Sequence, residues 1–197
     1  MTRPQRLLVA GVGNIFLADD AFGPEVVNAL SRRPLPAHVD VRDFGIRGMD
    51  LAYQLLDGYD AAVLVDAAPR GLPPGTLSLV EPDIPDTDTA RAVPEAHGMD
   101  PVKVLALAAH LGDGSLPRIV VLACEPERLP RGDEDVTVGL SAPVRDAVQR
   151  AVPVLHTVAG LLLTDANAAL SFGHSEEAGA PHPASPRGIA AAAKEDR

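Results

Sequence analysis

Asp66 is the residue whose position in the sequence most directly suggests chemistry. The five apolar residues before it, 61–65, form a run typical of a buried parallel strand, and the run ends in this carboxylate. Open α/β sheets bind ligands at the carboxyl ends of their strands, so an acid there indicates a binding cleft. The pattern fits equally well an aspartate that begins an ordinary loop, because Pro69 follows closely.

A glycine-containing turn with two acids follows the first apolar run of the chain. Residues 11–23 read GVGNIFLADDAFG, and Asp19 and Asp20 stand where a helix is expected to begin. A dinucleotide-binding turn would need a third glycine in place of Phe16, and two carboxylates would repel a pyrophosphate. The turn therefore either holds something cationic, or its acids only favour the positive end of the helix dipole.

His97 is the third candidate, in the polar stretch 93–101. Asp100 suits the N-cap and Pro101 the first position of the helix that follows. A histidine in a loop is more often a solvated side chain than a ligand. His97 alone is therefore weak support for a functional site.

The elements that must position these residues alternate between apolar runs and helical periodicity. This alternation predicts an α/β fold, with a mostly parallel twisted sheet of about five strands and helices on both faces. Strands are predicted at 6–12, 39–43, 61–66, 76–81 and 118–124, and helices at 21–33, 49–56, 101–111 and 141–163. The strand at 76–81 follows its predecessor too closely for a helical crossover, so we expect it to add antiparallel.

Composition limits the class of protein. The 197 residues are 46% hydrophobic and 3% aromatic, which predicts one domain, 1–164, with a core of Ala, Val and Leu. Residues 165–197 lack periodicity and are predicted to be a disordered tail. A net charge of −10 disfavours a nucleic-acid partner. Without a signal sequence or an uninterrupted apolar stretch of about twenty residues, we expect no membrane and a cytoplasmic location.

Taken in order, several short motifs resemble the nickel-iron hydrogenase maturation endopeptidases. They are Gly11-Val12-Gly13-Asn14 with Asp19, Asp20 and Gly23; Gly45-Ile46-Arg47-Gly48-Met49-Asp50-Leu51; Val65-Asp66-Ala67; His97-Gly98; and Cys124-Glu125-Pro126-Glu127 with Gly139-Leu140-Ser141. The resemblance covers about residues 6–163. No single motif is specific, but the ordered set is.

The resemblance implies a metal site formed by Asp20, Asp66 and His97. Familiar members of the family carry Glu at the first position, so Asp20 is one methylene shorter, and neighbouring Asp19 is the alternative ligand. Two carboxylates and one imidazole leave open coordination positions. That donor set suits a borderline divalent ion such as nickel, with zinc or cadmium as a surrogate.

The activity implied by the resemblance is proteolysis. The chain would be a monomeric endopeptidase that removes the C-terminal extension of a nickel-loaded [NiFe]-hydrogenase large-subunit precursor, with nickel supplied by the substrate. Asp19, taken as unpaired, is the candidate base for a metal-assisted hydrolysis. One alternative is a non-catalytic nickel-sensing docking or chaperone protein for hydrogenase assembly. Another is a different α/β hydrolase or a nucleotide-binding protein that shares only the opening turn.

Further residues receive structural interpretations. Cys124, the single cysteine, is expected to be a small buried hydrophobe, and Ser141 a helix N-cap. Glu125 and Glu127 either border the same cleft as Asp66 or are turn residues around a proline.

Gly11 and Gly13 are expected where the first strand turns sharply and the backbone passes close to the cleft. Glycine permits a positive φ and a close approach that any Cβ would hinder.

Overall fold

The computed structural model describes residues 3–82, 101–112, 115–130 and 136–170. The strands in these ranges are β1 (Leu7–Val12), β2 (Val39–Gly45), β3 (Ala61–Ala67), β4 (Leu77–Val80) and β5 (Arg118–Cys124). The α-helices are α1 (Phe22–Ser31), α2 (Gly48–Leu55), α3 (Pro101–Leu111) and α4 (Ala142–Thr164). A 3-10 turn, Ala18–Ala21, leads directly into α1. The predicted α/β class is confirmed, and every predicted boundary of these elements lies within two residues of the observed one.

The sheet has the strand order β2-β1-β3-β5-β4. β1, β2, β3 and β5 are parallel, and β4 pairs antiparallel with β5, as predicted for the segment 76–81. From β1 the chain passes to β2 on one side and then to β3 on the other. The topological switch point, where open α/β sheets bind ligands, therefore lies between the carboxyl ends of β1 and β3.

The two central strands are buried along their whole length because helices cover both faces of the sheet. Alternate residues of β3 point to opposite faces: Val63 and Val65 lie in the cluster with α1 and α4, and Ala62 and Leu64 in the cluster with α2 and α3. Because both strands are packed on two sides, the carboxyl ends of β1 and β3 are held in defined positions.

By length and composition, α4 is a helix that could cross a membrane. In the fold, however, α4 is a core helix: one side of it, including Val144, Ala151, Leu155 and Leu162, is buried in the cluster that also contains α1. Its apolar composition is explained by that packing.

The packed part of the chain extends beyond the predicted boundary at residue 164. Nη1 of Arg118 donates to the carbonyls of Ala166, at 2.9 Å, and Ala168, at 2.7 Å. Leu170 packs against the core as well. Residues 165–170 therefore do not belong to a disordered tail. The remainder of the predicted tail, 171–197, lies outside the described residues.

Candidate functional site

The glycine turn lies directly on the ends of the central strands. Gly13 has a φ of +129°, and a Cβ on it would lie 1.8 Å from the backbone carbonyl oxygen of Asp20. A Cβ on Gly11 would lie 2.6 Å from Cγ2 of Val27, and one on Gly23 would lie 2.2 Å from the carbonyl oxygens of both Val12 and Val65. The expected close approach of the backbone at Gly11 and Gly13 is confirmed. The turn that carries Asp19 and Asp20 therefore packs directly against the carboxyl ends of β1 and β3.

We expect Gly13→Ala to lower the free energy of unfolding by about 3 kcal/mol or more, because the new methyl group would overlap backbone that cannot move aside cheaply. Gly58→Ala is the matched control. Gly58 also has a positive φ, +74°, but a Cβ there would meet nothing within 4 Å. It should cost only about 1 kcal/mol. Urea unfolding of both variants measures the difference, and equal stabilities would contradict the close packing of the turn.

Asp20 is a half-buried acid in this turn. Its Oδ2 accepts a hydrogen bond from the backbone N–H of Asn14 at 2.6 Å. Burial raises the pKa of the Asp20 carboxyl above its ordinary value, and the Asn14 hydrogen bond acts in the opposite direction without cancelling the effect. The ionised side chain is thus incompletely stabilised by the protein, and a bound cation would stabilise it.

Asp66 lies at the same edge of the sheet. It is 8% exposed and pairs in register with Ala123 near the carboxyl end of β5. Gly23, three residues after Asp20, approaches the carbonyl of Val65, the residue before Asp66. The fold therefore brings both predicted acids to the switch point between β1 and β3.

His97 lies outside the described residues. In the described ranges, no three His, Cys, Asp or Glu side chains form a group that could hold a metal ion, so convergence of the predicted triad remains a prediction. The next helix is informative: Gly112, after α3, packs against Leu56, after α2, so the two helices end side by side, near the start of β5. The first residue of α3, Pro101, is therefore directed towards the carboxyl edge.

Asp19 is not the unpaired acid that the sequence suggested. It is fully buried, and its Oδ2 accepts hydrogen bonds from the backbone N–H of Glu127, at 2.9 Å, the N–H of Arg128, at 2.8 Å, and the hydroxyl of Ser141, at 2.9 Å. Its Oδ1 accepts from the Ser141 N–H at 2.7 Å. The suggestions that Asp19 is a free base or the alternative metal ligand are wrong, because both oxygens are used to join the turn to the loop after β5 and to α4.

Ser141 stands at the N-cap position of α4, as predicted, but makes no side-chain cap to its own helix. Its hydroxyl donates instead to Asp19. Sequence reasoning found the position and missed the partner, because that partner lies 122 residues away in the chain.

The acid and the thiol at the end of β5 are structural. Glu125 is buried and accepts hydrogen bonds from the backbone N–H groups of Arg70, at 2.7 Å, and Gly71, at 3.2 Å, so it fixes the loop after β3. Cys124 is fully buried, and burial raises the pKa of its thiol to about 12, which confirms a packing role. Glu127 is exposed and contributes its backbone N–H to Asp19.

A doubly wound sheet with two acids at its switch point defines an α/β protein whose candidate site is the carboxyl edge of the sheet. The family model for hydrogenase maturation proteases, HycI, matches residues 24–157. The hydrogenase expression/formation protein HupD of Rhizobium leguminosarum bv. viciae is 33% identical over 148 residues, 75% of this chain and 70% of that protein. HoxM of Azotobacter vinelandii is 35% identical over 157 residues, 78% and 72% of the two chains.

Solved structures agree. The hydrogenase maturating endopeptidase HybD from E. coli superposes with a TM-score of 0.61 at 27% identity, over 78% of this chain and 91% of that one. The hydrogenase 2 maturation peptidase from a Thaumarchaeota archaeon has a TM-score of 0.56 at 31% identity, over 80% and 99%. This chain belongs to the hydrogenase maturation protease family.

Proposed function

We propose that this protein is the endopeptidase that removes the C-terminal extension of a nickel-loaded [NiFe]-hydrogenase large-subunit precursor. Its membership of the hydrogenase maturation protease family supports the peptidase activity. The structural observation that carries the proposal is the pair of acids at one switch point, the half-buried Asp20 and the buried Asp66. Their placement suits recognition of a cation carried by a partner.

Asp20, Asp66 and His97 are the proposed ligands for the nickel that the precursor brings. Two carboxylates and an imidazole form a donor set for a borderline divalent ion, and zinc or cadmium would act as a surrogate. The raised pKa of Asp20 supports this assignment, because a nearby cation offsets the cost of burying the ionised carboxylate. His97 is four residues before Pro101, a chain length that spans at most about 15 Å from the start of α3.

The reaction adds water to the scissile carbonyl. The water oxygen attacks the carbonyl carbon, the C–N bond breaks, and the proton released by the water passes to the leaving amine. Asp19 cannot accept that proton, since its oxygens already accept four hydrogen bonds. We assign this role to Asp20 or Asp66, the other two candidate carboxylates at this edge: either would accept a proton from the attacking water while the ion lies beside it. Nickel held by the precursor fixes the scissile bond beside them.

We place this reaction in the cytoplasm and on a monomeric enzyme. The single cysteine is buried and forms no disulfide, as suits a reducing compartment. The net charge of −10 disfavours self-association through like-charged surfaces.

Incubation with nickel-loaded and metal-free precursor tests the proposal. The loaded precursor should be shortened over many turnovers, because it brings both the ion and the thiolate ligands that complete the coordination. The metal-free precursor should keep its full length. Mass spectrometry of the large subunit measures both. A chaperone that only docks the precursor would leave both chains uncut, and equal cleavage of the two forms would exclude nickel inspection.

A further inference from the structure

β2 forms one edge of the sheet, and within the described part of the chain no strand pairs with its outer side. The N–H of Leu7 on β1 donates to the carbonyl of His38 at 2.9 Å. In a parallel ladder, alternate residues direct both backbone groups to the same neighbour. Before the register shift near Gly45, the backbone groups of Asp40 and Arg42 therefore point to β1. The N–H and C=O groups of Val39 and Val41 therefore face outward.

Arg47 marks where this open edge ends. Its guanidinium donates to the carbonyl of Asp43, and its Nε lies 3.3 Å from Oδ2 of Asp50. That contact confirms that Asp43, like Val41, directs its carbonyl away from β1. An added strand would therefore stop opposite Asp43, and its chain would continue over the loops beyond.

Cavities flank this edge on both faces of the sheet. A cavity of about 510 Å³ on the α2 side is lined by Arg42, Phe44 and Tyr53. A cavity of about 310 Å³ on the α1 side is lined by Ile15 and Val41. Successive side chains of a strand point to opposite faces, so a peptide added to β2 would place them alternately in these two cavities.

The open edge leads directly to the candidate active site. At the carboxyl end of β2, the carbonyl of Gly45 accepts a hydrogen bond from the N–H of Gly13 at 3.1 Å. Gly13 is the glycine that packs against the backbone of Asp20. The end of an added strand that lies beyond Asp43 is thus next to the turn that carries Asp20.

The charge of the α1-side cavity defines the peptide that it would accept. Its charged lining residues are Glu25 and Asp43, both acidic, and its apolar lining includes Ile15, Val27 and Val41. An acidic side chain there would be repelled, whereas a basic side chain with an apolar stem would contact both kinds of surface. The α2-side cavity carries both signs of charge, with Arg42 and Asp50 among its lining residues.

We propose that β2 binds the C-terminal segment of the precursor as an added edge strand, with apolar or basic side chains directed to the α1-side cavity. This inference rests on the proposed function, because it identifies the occupant as the segment to be cleaved. Main-chain hydrogen bonds to Val39, Val41 and Asp43 supply the affinity, and the flanking cavities supply the selectivity. The extension would run antiparallel to β2, so the scissile bond at its N-terminal end lies at the carboxyl edge, beside Asp20 and Asp66.

Val41→Pro is the sharpest test. Proline removes the outward N–H and blocks an incoming strand, yet it breaks no bond to β1 because that N–H faces away from the sheet. Val41→Ala is the matched control, since it shortens the side chain and keeps the N–H. With nickel-loaded precursor, Val41→Pro should raise KM about tenfold over Val41→Ala, as expected for one lost hydrogen bond and a blocked strand, with kcat unchanged. An unchanged KM in folded Val41→Pro would overturn the proposal.

Hydrogen exchange of the unmodified enzyme provides a measurement that needs no variant. A synthetic peptide with the sequence of the precursor's C-terminal segment should slow exchange at the amides of Val39, Val41 and Asp43, while the already paired amides of β1 should not change. Unchanged exchange at β2 under saturating peptide would refute the added strand. If the enzyme cleaves precursor normally in that case, the proposed function stands without the docking. If the peptide slows exchange at β2 but the enzyme does not cleave the precursor, the docking stands and the proposed activity fails.

Discussion

Asp19→Ala is expected to lower the free energy of unfolding by about 3 kcal/mol or more, since an unsatisfied buried donor costs about 1–3 kcal/mol and both Ser141 donors are buried. Asp19 is fully buried and accepts hydrogen bonds from three backbone N–H groups and one hydroxyl. Alanine would leave all four donors without their acceptor. Because a domain of this size is typically stable by only about 5–15 kcal/mol, much of the protein would be unfolded or marginal. Urea denaturation followed by circular dichroism measures the loss.

The neighbouring acid is the control for this prediction. Asp20→Asn keeps an acceptor for the Asn14 N–H and removes a charge that burial disfavours. A raised carboxyl pKa means that the folded state binds the proton of Asp20 more tightly than the unfolded state does. The Asp20 carboxyl therefore lowers the free energy of unfolding as pH rises above its ordinary pKa. At pH 7, Asp20→Asn should therefore be as stable as the unmodified protein or more so. If Asp19→Ala proved equally stable, the buried network would not hold the fold together.

The contrast between these adjacent aspartates shows what the sequence could not distinguish. Both are acids at a helix start, and both fit the same motif. Only the fold brings Asp19 against Glu127 and Ser141, 108 and 122 positions away, and only the resulting hydrogen bonds identify it as structural. The sequence identified Asp66 more directly, because an apolar strand that ends in a carboxylate is a local pattern whose place in a parallel sheet follows from general rules.

Element boundaries were predictable for the same reason. The periodicity of β1, β3 and α3 is set by burial on defined faces, so it is visible in the residues themselves. Contacts to backbone carbonyls and N–H groups are different. The bonds from Arg118 to Ala166 and Ala168 extend the packed chain past residue 164, and Glu125 fixes a loop more than fifty positions away; neither leaves a pattern in the side-chain sequence.

Asp66→Asn is expected to reduce cleavage of nickel-loaded precursor by about a thousandfold, because it removes a charged ligand at the point where the reacting bond must be held. Asparagine has nearly the same volume as aspartate, so the end of β3 should keep its packing. His97→Ala should have an effect of similar size if the triad converges. Precursor shortening followed by mass spectrometry gives the rates, and nickel retained in the enzyme–precursor complex reports whether the ion is still held.

Glu125→Gln is the control for Asp66→Asn. It tests whether cleavage depends on Asp66 in particular or on any buried acid at this edge of the sheet. Glu125 is also buried near the carboxyl end of a strand, at 7% exposure against 8% for Asp66, and its oxygens accept backbone N–H groups of Arg70 and Gly71 in the loop after β3. Its neutralisation should weaken that loop and lower stability while the folded fraction still cleaves. Asp66→Asn keeps an oxygen acceptor in nearly the same shape, so it should lose far more cleavage than stability. If Asp66→Asn cleaves loaded precursor at the normal rate, the carboxylate at the switch point is not a ligand, and nickel recognition must lie elsewhere in the fold.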